Sequence, residues 1–421
     1  FVSYASHLGG ATPAMIGIAL GAYGLTQGLL QIPYGLVSDR VGRKPVIAAG
    51  LLLFAAGSIV AALAHSIGGM TIGRTLQGTG AVGSVVLATV ADLTREEVRT
   101  RAMAMVGMTI GLSFAVAIVL GPVFADLFGV PGIFWLTALL AALGIVITYG
   151  MVPGQVRVRR HLDTETVPRL LAAVVSNFQL LRLDASIFVL HLMLTAGFLA
   201  IPVVLLHALH IPVGHDWIIY LPVLAVSIVL MVPAILVAEK GGRMKEVFLA
   251  TIILLAVSQL LLLLWSSDPI IVALALVGFF TGFNIMEASL PSLITKIAPA
   301  NAKGTATGVF SSAQFLGIFA GGAVGGLASA IGGTSGVFAF TLVAALLWFG
   351  IAATMRRPSH YSSYLTRIGV TGSGRIADLT SQLKRAPGVV DVVIAADEGV
   401  AYLKIDRTRF DPDEVARIVS A

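Results

Sequence analysis

Three ionisable side chains lie inside long apolar runs of this 421-residue chain: Arg74, His191 and Glu287. Glu287 is the only acid well inside such a run, about 13 Å along a helix from Lys296. Asn284 lies one turn away on the same face. A buried carboxyl can exchange a proton near neutral pH, or it can be a neutral, hydrogen-bonded packing residue. His191 lies at comparable depth, about 10 Å from Asp184, with Thr195 at i+4. An imidazole can carry a proton, or it too can stay neutral and hydrogen-bonded. Arg74 has Gln77 one turn on. It is either a helix-packing cation bonded to carbonyls or a cavity cation that stabilises a nearby carboxylate or an anionic ligand. Charge inside a membrane span is costly and by default suggests function. Arg74, His191 and Glu287 are therefore the proton-coupling candidates.

Tyr23, Gln27, Gln31 and Tyr34 form a polar stripe at helical spacing. Lipid would not tolerate it, so the stripe meets another helix or water; substrate contact and interhelical bonding both remain open. Gln77, Phe283, Asn284, Gln314 and Phe315 could add the aromatic, amphipathic lining of a small-molecule cavity. Gly317, Gly321 and Gly325 make a small-xxx-small face, read as close helix packing. His207, His210, His215 and Asp216 are irregularly spaced in a loop, and no metal site is expected there. No nucleophile–base pair or dinucleotide fingerprint stands out. "GVTGSG" lacks the Lys-Ser/Thr of a phosphate loop. Neither an enzyme nor a cofactor is expected.

The elements that must position these residues are membrane helices. The chain is 57% hydrophobic and 11% charged, against roughly 25% charge in soluble domains. Apolar runs of spanning length give 11 spans, and the opening "FVSYASHLGG" reads as the tail of a further, largely missing first helix. Lys and Arg fall only in alternate loops, for example Arg40, Arg43 and Lys44, then Arg95, Arg99 and Arg101. That alternation places the basic loops and the C-terminus in the cytoplasm of a multi-pass inner-membrane protein. It also explains the +6 net charge without nucleic acid. A polar stretch, 153–184, separates two transmembrane halves, 1–152 and 185–357. The cluster Asp39-Arg40-Val41-Gly42-Arg43 recurs as Glu239-Lys240-Gly241-Gly242-Arg243, which marks a duplicated six-helix unit. Residues 361–421 differ: 8 basic and 8 acidic residues, and a βαββα order with strands at 364–370, 389–395 and 400–406. Asp411, Pro412 and Glu414 compose a helix start.

"GLVSDRVGRK", from Gly35, resembles the loop signature between helices two and three of major facilitator superfamily transporters. "GRTLQGTGA", Gly73 to Ala81, resembles the fourth-helix motif of its proton-coupled members. "GLSFAVAIVLGP", ending in Gly121-Pro122, resembles the fifth-helix motif of the drug/proton antiporter branch, partly kept because Asp126 follows where small glycines are usual. The resemblance implies two six-helix halves, no enzyme activity, and partners limited to the bilayer, protons and a small-molecule substrate. The tail is similar to ferredoxin-like heavy-metal-associated domains but has no thiol at the metal-binding loop, so no metal is carried over. Self-association or a regulatory ligand is the role read for it.

The expected function is proton-coupled efflux of small amphipathic molecules by alternating access. A facilitator or importer without antiport, and a transporter-like sensor signalling through the tail, are the alternatives. The family resemblance implies that Arg43 pairs with Asp92. Asp39 can cap the helix starting at "KGTATG", and the two contacts together would latch the cytoplasmic side.

Overall fold

The computed structural model describes all residues except 95, 154–167, 213–214, 241–242, 300–301, 356–360, 369–372, 396–398, 407–408 and 421. Outside the described residues lie several features read above: Arg95, Gly241 and Gly242 of the repeated cluster, and the start of "GVTGSG" in the tail, 369–372.

A short α1 (Val2–Ala5) precedes α2 (Pro13–Val41), α3 (Arg43–Ala62), α4 (Ile67–Thr79), α5 (Gly83–Leu93) and α6 (Glu96–Gly150). α7 (Pro168–Val175) leads to α8 (Phe178–Ala208), α9 (Trp217–Lys240), α10 (Met244–Trp265), α11 (Pro269–Ile297) and α12 (Lys303–Ala353). Among the described residues nine helices are long and apolar enough to cross a membrane, α4 and α5 counting as one. Gly129 breaks α6 with φ +70, and Gly332–Gly333 break α12. Each of those two helices is therefore a pair of limbs, which accounts for the 11 spans expected from the sequence.

The transmembrane termini follow ordinary capping chemistry. Thr12 accepts from the Met15 amide, Asn177 from Gln179 and Leu180, and Asp268 from Ile270 and Ile271. Between α4 and α5 the helix opens at Gly80–Val82, where Gly80 lies against the Gly50 carbonyl. A side chain there would collide with backbone.

The seam between the halves is made of backbone. A Cβ on Gly17 would lie 2.1 Å from the Gly322 carbonyl oxygen, and one on Gly24 2.5 Å from that of Phe315. The opposite face of α12 carries Gly317, Gly321 and Gly325, packed on Phe188, Leu192 and Ala196 of α8. This is the close packing expected of that glycine row. At the end of the seam near Pro13, Ala5, Ile16, Met70 and Phe134 join Leu199 of α8 in one apolar cluster.

The tail folds as β1 (Tyr361–Arg367), α13 (Ser373–Arg385), β2 (Val389–Ala395), β3 (Val400–Asp406) and α14 (Pro412–Ser420), an antiparallel sheet in the order β1-β3-β2. The first strand begins at Tyr361, earlier than the 364–370 expected. Ala401, Leu403 and Ile405 of β3 face α13 and α14, while Lys404 is on the other face and donates to the Ile297 carbonyl ending α11 at 3.4 Å. Asp411 caps α14 through the amides of Asp413 and Glu414.

Candidate functional site

Helix α12 passes between two polar clusters, and consecutive residues touch one each. Gln314 belongs to the first. Its Nε2 lies 2.9 Å from His191 Nε2 and 3.5 Å from Glu287 Oε1. His191 Nδ1 lies 3.2 Å from the Ile187 carbonyl, whose oxygen can only accept. This assigns the Nδ1–H tautomer, leaving Nε2 to accept from the Gln314 amide. His191 Nε2 is 3.8 Å from Glu287 Oε2. One amide is thus shared between an imidazole and a carboxyl. The His191 side chain is 8% exposed and that of Glu287 40%, while Glu287 Oε2 is itself buried without a hydrogen-bond partner among the described residues. Phe283 meets the His191 ring edge-on at 5.6 Å. The structure thus brings two of the three proton-coupling candidates, His191 and Glu287, into one cluster. It places Asn284 elsewhere, donating to Ser227 of α9 at 2.9 Å.

Phe315 faces the second cluster, on the N-terminal half. It meets the Tyr23 ring edge-on at 6.2 Å. The Arg74 guanidinium lies 5.0 Å from the centre of the same Tyr23 ring, a cation–π contact worth about 0.5–2 kcal/mol. Arg74 Nη1 donates to Gln77 Oε1 at 2.8 Å, and Gln77 Nε2 donates to Ser58 at 2.7 Å. Thr137 of α6 reaches the same Ser58 hydroxyl at 3.2 Å. Arg74 therefore bonds to a side chain rather than to the backbone carbonyls of the packing alternative, and its Nε is buried without a partner among the described residues. Gln27 and Gln31 are buried, and the Gln27 Nε2 donates to Gln31 Oε1 at 3.4 Å one turn along the same helix. Gln31 also accepts, through its carbonyl, from Ser84 of α5. Ser58, Thr137 and Ser227 were missed by sequence reasoning, because a lone hydroxyl in an apolar run carries no spacing signal.

A third cluster closes the basic-loop end of the N-terminal half. Gly42 adopts φ +102, which turns the chain from α2 into α3 and favours glycine. The turn sends Arg43 inward. Its Nε donates to Asp92 Oδ2 at 2.9 Å and its Nη1 to Ser38 at 2.7 Å and to Asp39 Oδ1. The Arg43 and Asp92 side chains are 2% and 0% exposed. The Arg43–Asp92 pair matches what the resemblance implied; Ser38 was not foreseen. Gly35 brings α2 against Ser84, while Arg40 points outward and is exposed. Gly121 borders open space, since a Cβ there would meet nothing within 4 Å, and Pro122 follows it inside α6. Among the described residues no group of three His, Asp or Glu could hold a metal ion.

The model of the Major Facilitator Superfamily matches residues 1–240 and again 183–395. Inner membrane transport protein YajR of Escherichia coli (strain K12) is 40% identical, over 99% of this chain and 92% of its own length. The class E tetracycline resistance protein of Escherichia coli is 32% identical over 31% of this chain and 33% of its own. A bacterial homologue of the human lysosomal transporter Spinster, solved in an inward-facing and occupied conformation, shares the fold. Its TM-score is 0.66 at 13% identity, covering 82% of this chain and 89% of that one. Members of this family are transporters and not enzymes, and they work within a lipid bilayer on small molecules. Two helical halves, a glycine seam between them and a loop turned by Gly42 around Arg43 are accounted for together: the chain belongs to the major facilitator superfamily.

Proposed function

We propose that the chain is a proton-coupled exporter of small amphipathic molecules, working by alternating access with its basic loops and tail in the cytoplasm. The observation that carries the reading is the Gln314 amide shared between His191 and Glu287. An acid 40% exposed at mid-helix fits a water-filled interior space rather than lipid. When Glu287 is ionised it attracts a cationic or polar substrate group; a proton arriving there removes that attraction. Competition of this kind is the elementary step of antiport. Tyr23, Phe315 and Phe283 would supply aromatic walls, and Arg74 would orient polar groups on the other side. Similarity to a tetracycline resistance protein supports export as the direction, and similarity to an inner-membrane transporter supports the location.

The test is flux of a panel of amphipathic dyes in proteoliposomes under an imposed pH gradient. Glu287→Gln and His191→Ala should lose gradient-driven flux while keeping gradient-independent exchange. Unchanged coupling in both variants would sink the reading. A sensor reading has one supporting observation: Lys404 of the tail holds the end of α11, the helix that carries Glu287. Robust flux after removal of residues 361–421 separates transport from sensing.

A further inference from the structure

The basic-loop end of the C-terminal half carries a cleft that the transport reading does not use. Its volume is 330 Å³, and it is lined by Asn177, Phe178, Gln179 and Arg182 at the start of α8 and by Thr354 at the end of α12. Arg182 Nε donates to Thr354 Oγ1 at 2.9 Å and its Nη1 reaches the Phe178 carbonyl at 3.5 Å, so the guanidinium is held between the two helices. Its Nη2 has no partner among the described residues, and no carboxylate pairs with it there. Asn177 spends its Oδ1 on the amides of Gln179 and Leu180, which leaves its Nδ2 as a donor. Lys245 of α10 donates to the Ala353 carbonyl at 2.9 Å, one residue before Thr354. Among the described residues the lining contains no acid. Its donors and its cation suit an anion. One acceptor is also unmet: Gln179 Oε1 is buried without a partner among the described residues, and a buried polar atom of this kind calls for one.

The surroundings say which anion. One turn along α8 from Arg182, Ser186 accepts from Trp348 Nε1 at 2.8 Å, and both residues are buried. The two helices are sealed there, so the cleft ends blind. Its open side adjoins an apolar surface. Val343, Leu347 and Ile351 are exposed along α12, and with Thr354 they follow at steps of four, four and three, on one face of the helix. Gly350 on that face meets nothing within 4 Å of where a Cβ would stand. Phe178, in the lining itself, is 75% exposed. An exposed apolar stripe on a spanning helix is a surface for hydrocarbon. Arg182 and Thr354 stand where that stripe gives way to polar residues, the level at which a membrane arginine meets lipid headgroups.

We propose that this cleft binds the headgroup of an anionic glycerophospholipid that carries a free hydroxyl, the chemistry of phosphatidylglycerol. The phosphodiester accepts from Arg182 and Asn177, a headgroup hydroxyl donates to Gln179, and an acyl chain lies along the α12 stripe. A soluble phosphate ester shares the phosphate chemistry but has no chain for the stripe. The proposal is independent of the direction and the coupling of transport.

The experiment is native mass spectrometry of the full chain in detergent, titrated with three lipids of equal chain length. These are phosphatidylglycerol, phosphatidylmethanol, which has the same charge but no headgroup hydroxyl, and phosphatidylcholine. The first bound lipid should rank in that order of affinity, and this ranking needs no variant. Arg182→Gln should weaken the first phosphatidylglycerol about tenfold or more. Arg40→Gln, an exposed cation of the other half, should change it less than about twofold. Gln179→Leu should make phosphatidylglycerol and phosphatidylmethanol equal. Equal affinity of wild type for phosphatidylglycerol and phosphatidylcholine, or equal losses in Arg182→Gln and Arg40→Gln, overturns the site. A hydroxyl preference that survives in Gln179→Leu overturns the part given to Gln179. Displacement of bound phosphatidylglycerol by soluble glycerol phosphate overturns the lipid in favour of a soluble phosphate ester.

Discussion

Replacing Arg43 with Met tests the loop cluster most directly. Arg43 is 2% exposed and bonds to Asp92, Ser38 and Asp39, and the Asp92 side chain is 0% exposed. Its removal takes one partner from a buried ion pair, which costs about 3–5 kcal/mol. The lost Ser38 bond adds about 1 kcal/mol. Together these predict destabilisation of about 4–6 kcal/mol. The double variant Arg43→Met/Asp92→Leu removes both charges and should cost far less than the single one, with a coupling energy of about 2 kcal/mol or more. Arg40→Gln is the internal control: Arg40 is exposed on the same loop, and its loss should cost within about 0.5 kcal/mol. The assay is equilibrium unfolding in mixed micelles, titrated with sodium dodecyl sulfate and followed by helical circular dichroism. Arg43→Met no more costly than Arg40→Gln would refute the buried-pair reasoning. A double variant as costly as the single one would refute the assignment of the cost to Asp92.

The same loop predicts a shift in conformation. Asp39→Asn weakens the Asp39–Arg43 contact and should raise the reactivity of cysteines introduced near the basic-loop end; wild-type reactivity would count against a latch. Two glycine substitutions should part company. Gly17→Ala drives a Cβ to 2.1 Å from the Gly322 carbonyl oxygen and should cost about 1–3 kcal/mol from overpacking. Gly121→Ala meets nothing within 4 Å and should be neutral or stabilising by about 1 kcal/mol, both read by the same unfolding titration. Lys404→Ala removes the bond to the Ile297 carbonyl and should speed amide exchange in the last turn of α11, as measured by hydrogen–deuterium exchange.

Much of this architecture is legible in the residue string because the bilayer imposes strong rules. Long apolar runs and the Lys/Arg alternation mark the spans, and β2 and β3 of the tail were read to their ends because Pro387-Gly388 and Gly399 bound alternating apolar runs. Strand β1 was misplaced because Ser362 and Ser363 open it, and polar residues hide an edge strand that pairs only with β3. The opening of the helix at Gly80–Val82 was not foreseen, since an isolated glycine in a membrane helix is ordinary. Glu287 and His191 were visible as exceptions to composition. That Gln314 lies between them was not, because 27 and 123 residues separate it from its two partners and only the packing of α8, α11 and α12 brings them together. Gly17, Gly21, Gly24 and Gly28 were present as a row, but what they face is decided by a helix nearly three hundred residues later.

That row has a mechanical consequence. Where side chains interlock, as they do in most protein interiors, two bodies can turn against each other only by changing rotamers one after another. Helix α12 meets α2 through Gly322 and Gly326, and α8 through Gly317, Gly321 and Gly325, so both of its flanks are nearly bare backbone. A change of tilt along such a joint disturbs few interlocked side chains, chiefly Leu316 and Ile318 against the α2 glycines and Phe315 against Tyr23. Contacts at the ends of the joint then weigh more in setting the resting angle, as with the apolar cluster in which Ala5 and Ile16 meet Leu199 of the other half. The glycines make an axle, and the stops lie at its ends.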